Sequence, residues 1–524
     1  MKRRDFCKGL AVTLAAGTLA PAAALPQAGA ATALVGRAVP DDYYTLWYRS
    51  DRCGADLRHD YYYSDSLFDH PATEYDNQLA LATLGMAAAA DCPWESDQRY
   101  WMEGEVGRAD HIRDAFAKLG FTGVQLFNYT HSLNDTPDTV GCAIARKTLV
   151  RGGRQVTIIG AFLRGSGYGA EWSGNLHAGP GNAHTGFVTA ARQLVEKIRA
   201  YVQASAKRQP LGTLKLWMGG YSRGGGVANL VAARLPAVLP QLEKKNTFVY
   251  TFAAPAALTA ADCPELQQDF DNNHAADGRL KKNWGTSNIF NIVSSGDVVP
   301  RVLPAEWGFY RNGNDRFLPS TVIPEELEIL NDRSTRMEGT PIDFGRLAVT
   351  EEVDAVLRSM MELFCDRQTY YEDYEDAMRC MLQCATTRTE EEVTRGIVRD
   401  DAAVVAQLRS MELMQRFPQE KLERCVQAAS ALSRPVLEKL GSAVPLQAQQ
   451  IVIPMLAVGL CFELQPETVQ LVADFVLSTI TVEGQLSGIL KTVLCHFQEN
   501  YITVLEAYDP ADHGMTPYTR REEL

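Results

Sequence analysis

The chain has 524 residues, more than one ordinary domain needs, so two packed units or one large domain with an insertion are expected. It is 46% apolar and 22% charged, as in soluble globular proteins, with no low-complexity tract and no evident internal repeat. The formal charge of −13 argues against nucleic acid as a partner, because no basic face offsets the acidic excess.

Lys2-Arg3-Arg4-Asp5-Phe6-Cys7-Lys8 opens the chain, followed by a mildly apolar run from Leu10 to Ala20 and by Ala28-Gly29-Ala30. That order is expected of a removable export signal over residues 1–30. Paired arginines with Phe6 two residues on fit the twin-arginine type; the alternative is an ordinary export signal that carries two arginines. The apolar run is too short to span a bilayer, and Cys7 precedes it, so no stable membrane anchor is expected. An exported product, released or loosely held, would keep ten cysteines, too few in this length for a disulfide scaffold. Cys380 and Cys384 sit one helical turn apart with no second pair at zinc spacing, so no structural metal is expected.

Asp60-Tyr61-Tyr62-Tyr63 reads as tyrosine-rich loop, and Gln78–Ala90 and His111–Leu119 as helical patches. Val140–Arg146 and Gln155–Leu163, joined through Gly152-Gly153, read as a hairpin. Val188, Ala191, Val195, Ile198 and Val202 recur at helical spacing, and buried strands follow at Leu214–Met218, Phe248–Phe252 and Ile289–Val293. Strands alternating with helices predict a mostly parallel sheet with flanking helices. Beyond about residue 320 the texture changes: glycine nearly disappears between 350 and 480, and helical periodicity takes over. Val353, Val356, Leu357, Met360, Met361 and Phe364 mark one apolar stripe; similar patterns run through Glu390–Arg416, Gln419–Leu432 and Pro466–Thr479. Pro418, Pro435, Pro445, Pro454 and Pro466 fall near plausible helix breaks. The expected organisation is an α/β core over 31–324, a helical insertion over 325–485, and a last core segment over 486–524.

Gly220-Tyr221-Ser222-Arg223-Gly224 stands between the strand Leu214–Met218 and the small-residue run from Gly225 to Ala233. G-x-S-x-G between strand and helix is the pattern of a nucleophile elbow, which lifts a serine hydroxyl out of a sheet. Such a serine needs a histidine to take its proton, a carboxylate to orient that histidine, and donors for the developing oxyanion. Downstream of Ser222, Asp297 follows a strand directly within Ser294-Ser295-Gly296-Asp297-Val298-Val299-Pro300, the position for the acid. For the base, His274 reads as a solvated loop residue, while chain order leaves both His496 and His513 eligible.

Several motifs together are similar to the class 3 lipases: Phe162-Leu163-Arg164-Gly165-Ser166, Glu171-Trp172, His184-Thr185-Gly186-Phe187, Thr251-Phe252-Ala253-Ala254-Pro255 and Asp297-Val298-Val299-Pro300. The resemblance covers about residues 140–310 in the family's own order. It implies an α/β-hydrolase-type fold in which Ser222 is the nucleophile and Asp297 the triad acid. Ser166 and the backbone N–H of Arg223 would be the oxyanion donors. His496-Phe497-Gln498-Glu499-Asn500-Tyr501 is similar to the H-x-x-E-x-Y motif of bacterial relatives, which favours His496 as the base. Three departures stand out: Tyr221 replaces the usual histidine, Ala253 the strand-end glycine, and the helical unit, cap- or lid-like, swells the acid-to-histidine interval.

The expectation is an exported serine hydrolase of lipase type acting on a small-molecule or lipid ester, in passing contact with a lipid interface and needing no metal or organic cofactor. The alternatives are a peptidase, thioesterase or acyltransferase with the same triad, or a non-catalytic binding protein on a hydrolase fold.

Overall fold

Side chains alternate across one mixed sheet and divide the molecule into an aromatic core and an aliphatic one. The computed structural model describes residues 37–50, 56–91, 109–129, 138–165, 171, 174–175, 183–259, 286–294, 297, 299–301, 309–318, 376–377, 380–381, 383–384, 400–440, 446–463, 495–507 and 517–518. Gly36–Leu524 form one compact unit.

In chain order the first elements are β1 (Asp42–Arg49), β2 (Asp56–Tyr63), α1 (Asn77–Ala90), α2 (Asp110–Lys118), β3 (Thr122–Phe127), β4 (Cys142–Arg151) and β5 (Arg154–Leu163). Next come α3 (Thr185–Arg208), β6 (Thr213–Tyr221), α4 (Arg223–Val238), β7 (Thr247–Phe252), β8 (Leu258–Thr259), β9 (Ile289–Ser294), β10 (Phe309–Tyr310) and β11 (Asn314–Leu318). The last are α5 (Asp401–Ser410), α6 (Gln419–Leu440), α7 (Leu446–Cys461), α8 (Gln498–Ala507) and β12 (Pro517–Tyr518). The main sheet has the order β12-β11-β9-β7-β6-β5-β4-β3. Its five central strands, β5 to β11, run parallel, and antiparallel pairs close both edges. The expected mostly parallel α/β sheet is therefore present.

Along β6, Trp217 and Tyr221 face one core while Leu214, Leu216 and Met218 face the other. The aromatic core gathers round Trp217, which stacks on Tyr63 at 5.7 Å and meets Phe162 edge-on at 4.8 Å. Helix α1 lies against this face. Asp76 caps it by accepting the Leu79 amide at 2.7 Å, and twelve of its fourteen residues are buried, as its alanine-rich sequence allows. On the opposite face α3 and α4 bury valine, leucine and alanine.

Two sequence expectations need correction. The tyrosine-rich segment is no loop: Asp60–Tyr63 ends β2, which pairs antiparallel with β1, and Tyr61 and Tyr63 point into the aromatic core. Tyrosine's apolar ring and polar tip suit a half-buried strand, a signal that hydrophobicity counting misses. Nor do all the prolines break helices. Helix α6 continues past Pro435 to Leu440, and Pro454 lies inside α7. Burial of α7 from Val452 to Cys461 offsets the hydrogen bond that a proline removes. Helices α5, α6 and α7 share a core that also takes in Ala256 and Phe309 of the α/β part. The stripes at 353–364 and 466–479, and residues 1–30, lie outside the described residues.

Five buried tyrosines, Tyr61, Tyr63, Tyr221, Tyr250 and Tyr501, have ionisations held well above the ordinary value of 10.0, with burial the foremost cause. A group whose folded pKa is raised contributes stability that is present below its unfolded value and lost as pH climbs toward the folded one. Lys147 and Lys215, lowered by burial, act in the opposite direction below 10.5. Stability is thus expected to fall steeply above about pH 10, with the tyrosinate absorbance of these five appearing only as circular dichroism is lost. Their titration in a folded protein near the ordinary value would contradict this.

Candidate active site

The chain reverses at Ser222 with φ 54 and ψ −127, a left-handed conformation that an L-residue holds only under strain of about 1–3 kcal/mol. Glycines make that turn possible. A Cβ at Gly220 would sit 2.4 Å from the Gly224 carbonyl oxygen, and one at Gly224 2.4 Å from that of Arg164. The Ser222 amide bonds the Phe252 carbonyl at 2.9 Å, so the elbow lies at the carboxyl ends of the parallel strands, where α/β proteins build sites. Ala253 also adopts positive φ, +52, just after β7. Glycine's usual place at that strand end therefore has a backbone reason, and alanine bears a strain of about 1–2 kcal/mol there.

His496 meets both Ser222 and Asp297, although they lie 274 and 199 positions from it in the sequence. His496 Nε2 lies 2.8 Å from Ser222 Oγ, and Nδ1 lies 3.0 and 2.9 Å from the two Asp297 oxygens. Asp297 is fully buried while His496 keeps about a fifth of its side chain exposed, so one end of the row is dry and the other open. The Asp297 carboxylate also accepts the Val299 amide at 2.9 Å and the Tyr501 hydroxyl at 2.7 Å. Arg311 fastens the acid loop from below: its guanidinium bonds the Pro300 and Ala254 carbonyls at 3.2 and 3.0 Å and pairs with Asp315 at 2.6 Å. Such a row can pass a proton from hydroxyl to imidazole while the carboxylate holds the ring's tautomer.

Arg223 is the first residue of α4, whose leading amides have no carbonyl partner within the helix and face the elbow. Its side chain turns away, donating to Thr139 O at 2.8 Å and Asn175 Oδ1 at 2.7 Å, and lies over Phe187. Ser166, His274 and His513 lie outside the described residues. Arg164 and Glu171 form a bidentate pair at 2.8 and 2.9 Å, 0% and 1% exposed. His184 caps α3: Nδ1 accepts the Phe187 amide at 3.3 Å, and Nε2 donates to Asn175 O at 2.9 Å.

Three side chains near the row had no role in the sequence reading. Tyr501 touches Asp297, and Asp91 accepts the Gly165 amide at 3.0 Å and Gln498 Nε2 at 2.6 Å. Tyr501 stood in the quoted histidine motif, which is the one signal that could have found it. Asp91 carries no motif at all. Among the described residues no cluster suits a metal ion, and no helix is long and apolar enough to cross a membrane.

The fold and the elbow define an α/β-hydrolase. Residues 165–307 match the family model of lipase (class 3). No curated protein matches the chain. Similar solved structures include a triacylglycerol lipase with a serine protease triad as its catalytic centre, at 20% identity over 47% of this chain and 81% of that one, TM-score 0.32. A Rhizomucor miehei lipase in complex with its propeptide is similar at 19% identity over 46% and 68%, TM-score 0.29. Lipase II from Rhizopus niveus is similar at 17% identity over 46% and 80%, TM-score 0.29.

Proposed function

We propose that the chain hydrolyses carboxylic esters, lipid esters among them, through an acyl-enzyme on Ser222. In this reading His496 takes the serine proton and returns it to the leaving alcohol, and Asp297 holds the imidazole and stabilises its charged form. Water then attacks the acyl group with the same histidine as base, releasing the acid. The Arg223 amide, and Ser166 by the family resemblance, are the oxyanion donors. One observation carries the reading: a strained serine at a strand-to-helix turn stands 2.8 Å from an imidazole backed by a buried carboxylate.

The helical segment within 325–485 is read as a cap. The shared core of α5–α7 with Ala256 and Phe309 supports that, because Ala256 follows β7 on the side of the elbow. Export through a twin-arginine signal at residues 1–30 and passing contact with a lipid surface belong to the same reading. They rest on Arg3-Arg4 and on the apolar run after them.

Purified protein and its Ser222→Ala variant, assayed on p-nitrophenyl esters of rising chain length, test the proposal. Serine-dependent turnover that grows toward long acyl chains is expected. Turnover confined to acetate and butyrate would remove the lipid substrate, and turnover indifferent to Ser222 would remove the mechanism.

A further inference from the structure

Two buried tyrosines touch the row of Ser222, His496 and Asp297 at different points. The Tyr501 hydroxyl lies 2.7 Å from Asp297 Oδ2 and 3.0 Å from the Ser294 amide nitrogen, and the residue has no accessible surface. An amide N–H can only donate, so the phenol oxygen accepts there and its single proton points at the carboxylate. The other carboxylate oxygen takes the Val299 amide at 2.9 Å. His496 Nδ1 stands within reach of both oxygens and shares one proton between them. Each oxygen thus has its own lateral donor, and the two fix the carboxylate plane across which the imidazole sits.

Tyr221 acts elsewhere. Its hydroxyl donates to the backbone carbonyl of His496, and its ring meets Tyr501 edge-on at 5.5 Å and 84°. The turn that carries His496 is therefore tied to the elbow, and Tyr501 lies on α8, directly after that turn. Tyr221 is also where this chain departs from the class 3 pattern, which has histidine at that position.

We propose that Tyr501 is a positioning residue that orients the Asp297 carboxylate and tempers its pull on His496, with Tyr221 holding the His496 backbone. The inference rests on Ser222, His496 and Asp297 being the working triad. A hydrogen bond to the carboxylate spreads its charge, so its loss concentrates charge at the imidazole and favours the protonated ring. Burial, then the Asp297 charge, keep the Tyr501 phenol protonated well past its ordinary range, so it remains a donor at any working pH.

The test compares kcat and KM against pH, on p-nitrophenyl butyrate, for wild type, Tyr501→Phe and Tyr221→Phe. Tyr501→Phe is expected to lower kcat about 10-fold at unchanged KM, and to move the acid limb of kcat/KM up by about half a pH unit. Tyr221→Phe is expected to lower kcat without moving that limb, because its hydroxyl bonds backbone rather than carboxylate. Where Tyr501→Phe folds poorly, 3-fluorotyrosine placed at position 501 alone keeps the shape and strengthens the donor. It is expected to move the limb downward. An acid limb unmoved by either change at 501, or moved equally by Tyr221→Phe, overturns the proposal. Labelling of wild type with a fluorophosphonate separates the two readings. Wild type that neither turns over the ester nor labels at Ser222 refutes the triad and the tyrosine's role with it. Active, labelled wild type with an unmoved limb in the variants refutes the tyrosine's role alone.

Discussion

Ser222→Ala and His496→Ala are each expected to lower kcat on p-nitrophenyl butyrate by about 10⁵–10⁶-fold, and the double variant to lose no more than the worse single one. The reason is the 2.8 Å contact between Oγ and Nε2. Without the imidazole the hydroxyl keeps its proton, and without the hydroxyl the imidazole has nothing to activate, so either change removes the same step. Asp297→Asn is expected to cost less, about 10⁴-fold, because serine and imidazole remain and only the tautomer and the stabilisation of the charged ring are lost. Binding and the Arg223 amide would sustain the residual rate. Losses that multiply in the double variant would mean that the two side chains act in separate steps.

Glu171→Ala is expected to destabilise the protein by about 3–5 kcal/mol, seen as a lower urea midpoint. The substitution removes the carboxylate that the Arg164 guanidinium, itself without accessible surface, holds through two bonds of 2.8 and 2.9 Å. Its donations to Gly165 O at 3.1 Å and Asn128 O at 2.9 Å go to neutral carbonyls and do not replace the lost negative charge. That loss is large against a total stability of about 5–15 kcal/mol. Replacing both partners with apolar residues, Arg164→Met with Glu171→Leu, is expected to cost less than Glu171→Ala alone, because no unpaired charge is left behind. A double variant less stable than the single one would show that the pair contributes net attraction beyond its desolvation. Activity should fall too in Glu171→Ala, since Arg164 leads directly into Gly165 at the end of β5.

Local signals carried much of the fold. The continuous apolar runs of β6 and β7, buried almost throughout, and the helical spacing in α3 are properties of short windows, and the structure has those elements. The elbow was legible for the same reason, since strand, Gly220, Ser222, Gly224 and helix are consecutive. Motif residues that meet at close range, such as Arg164 and Glu171, were visible in the string but not as an ion pair. The β1–β2 hairpin escaped because tyrosine fits either face of a strand. The helix through Pro435 and the proline within α7 escaped because tertiary packing overrides a local break signal. His496 could be preferred only through its motif, since nothing in spacing brings position 496 to position 222. The contacts of Tyr501, Asp91, Gln498 and Arg311 depend on several strand ends and α8 converging in space. No periodicity records that convergence.

The whole mechanism depends on Ser222 as the nucleophile. Peptide mass spectrometry after reaction with a fluorophosphonate tests it most directly. A single phosphonyl adduct is expected on the peptide containing Ser222, absent in Ser222→Ala and formed far more slowly in His496→Ala. Ester turnover that persists while Ser222 stays unmodified, or an adduct on another serine, would contradict it.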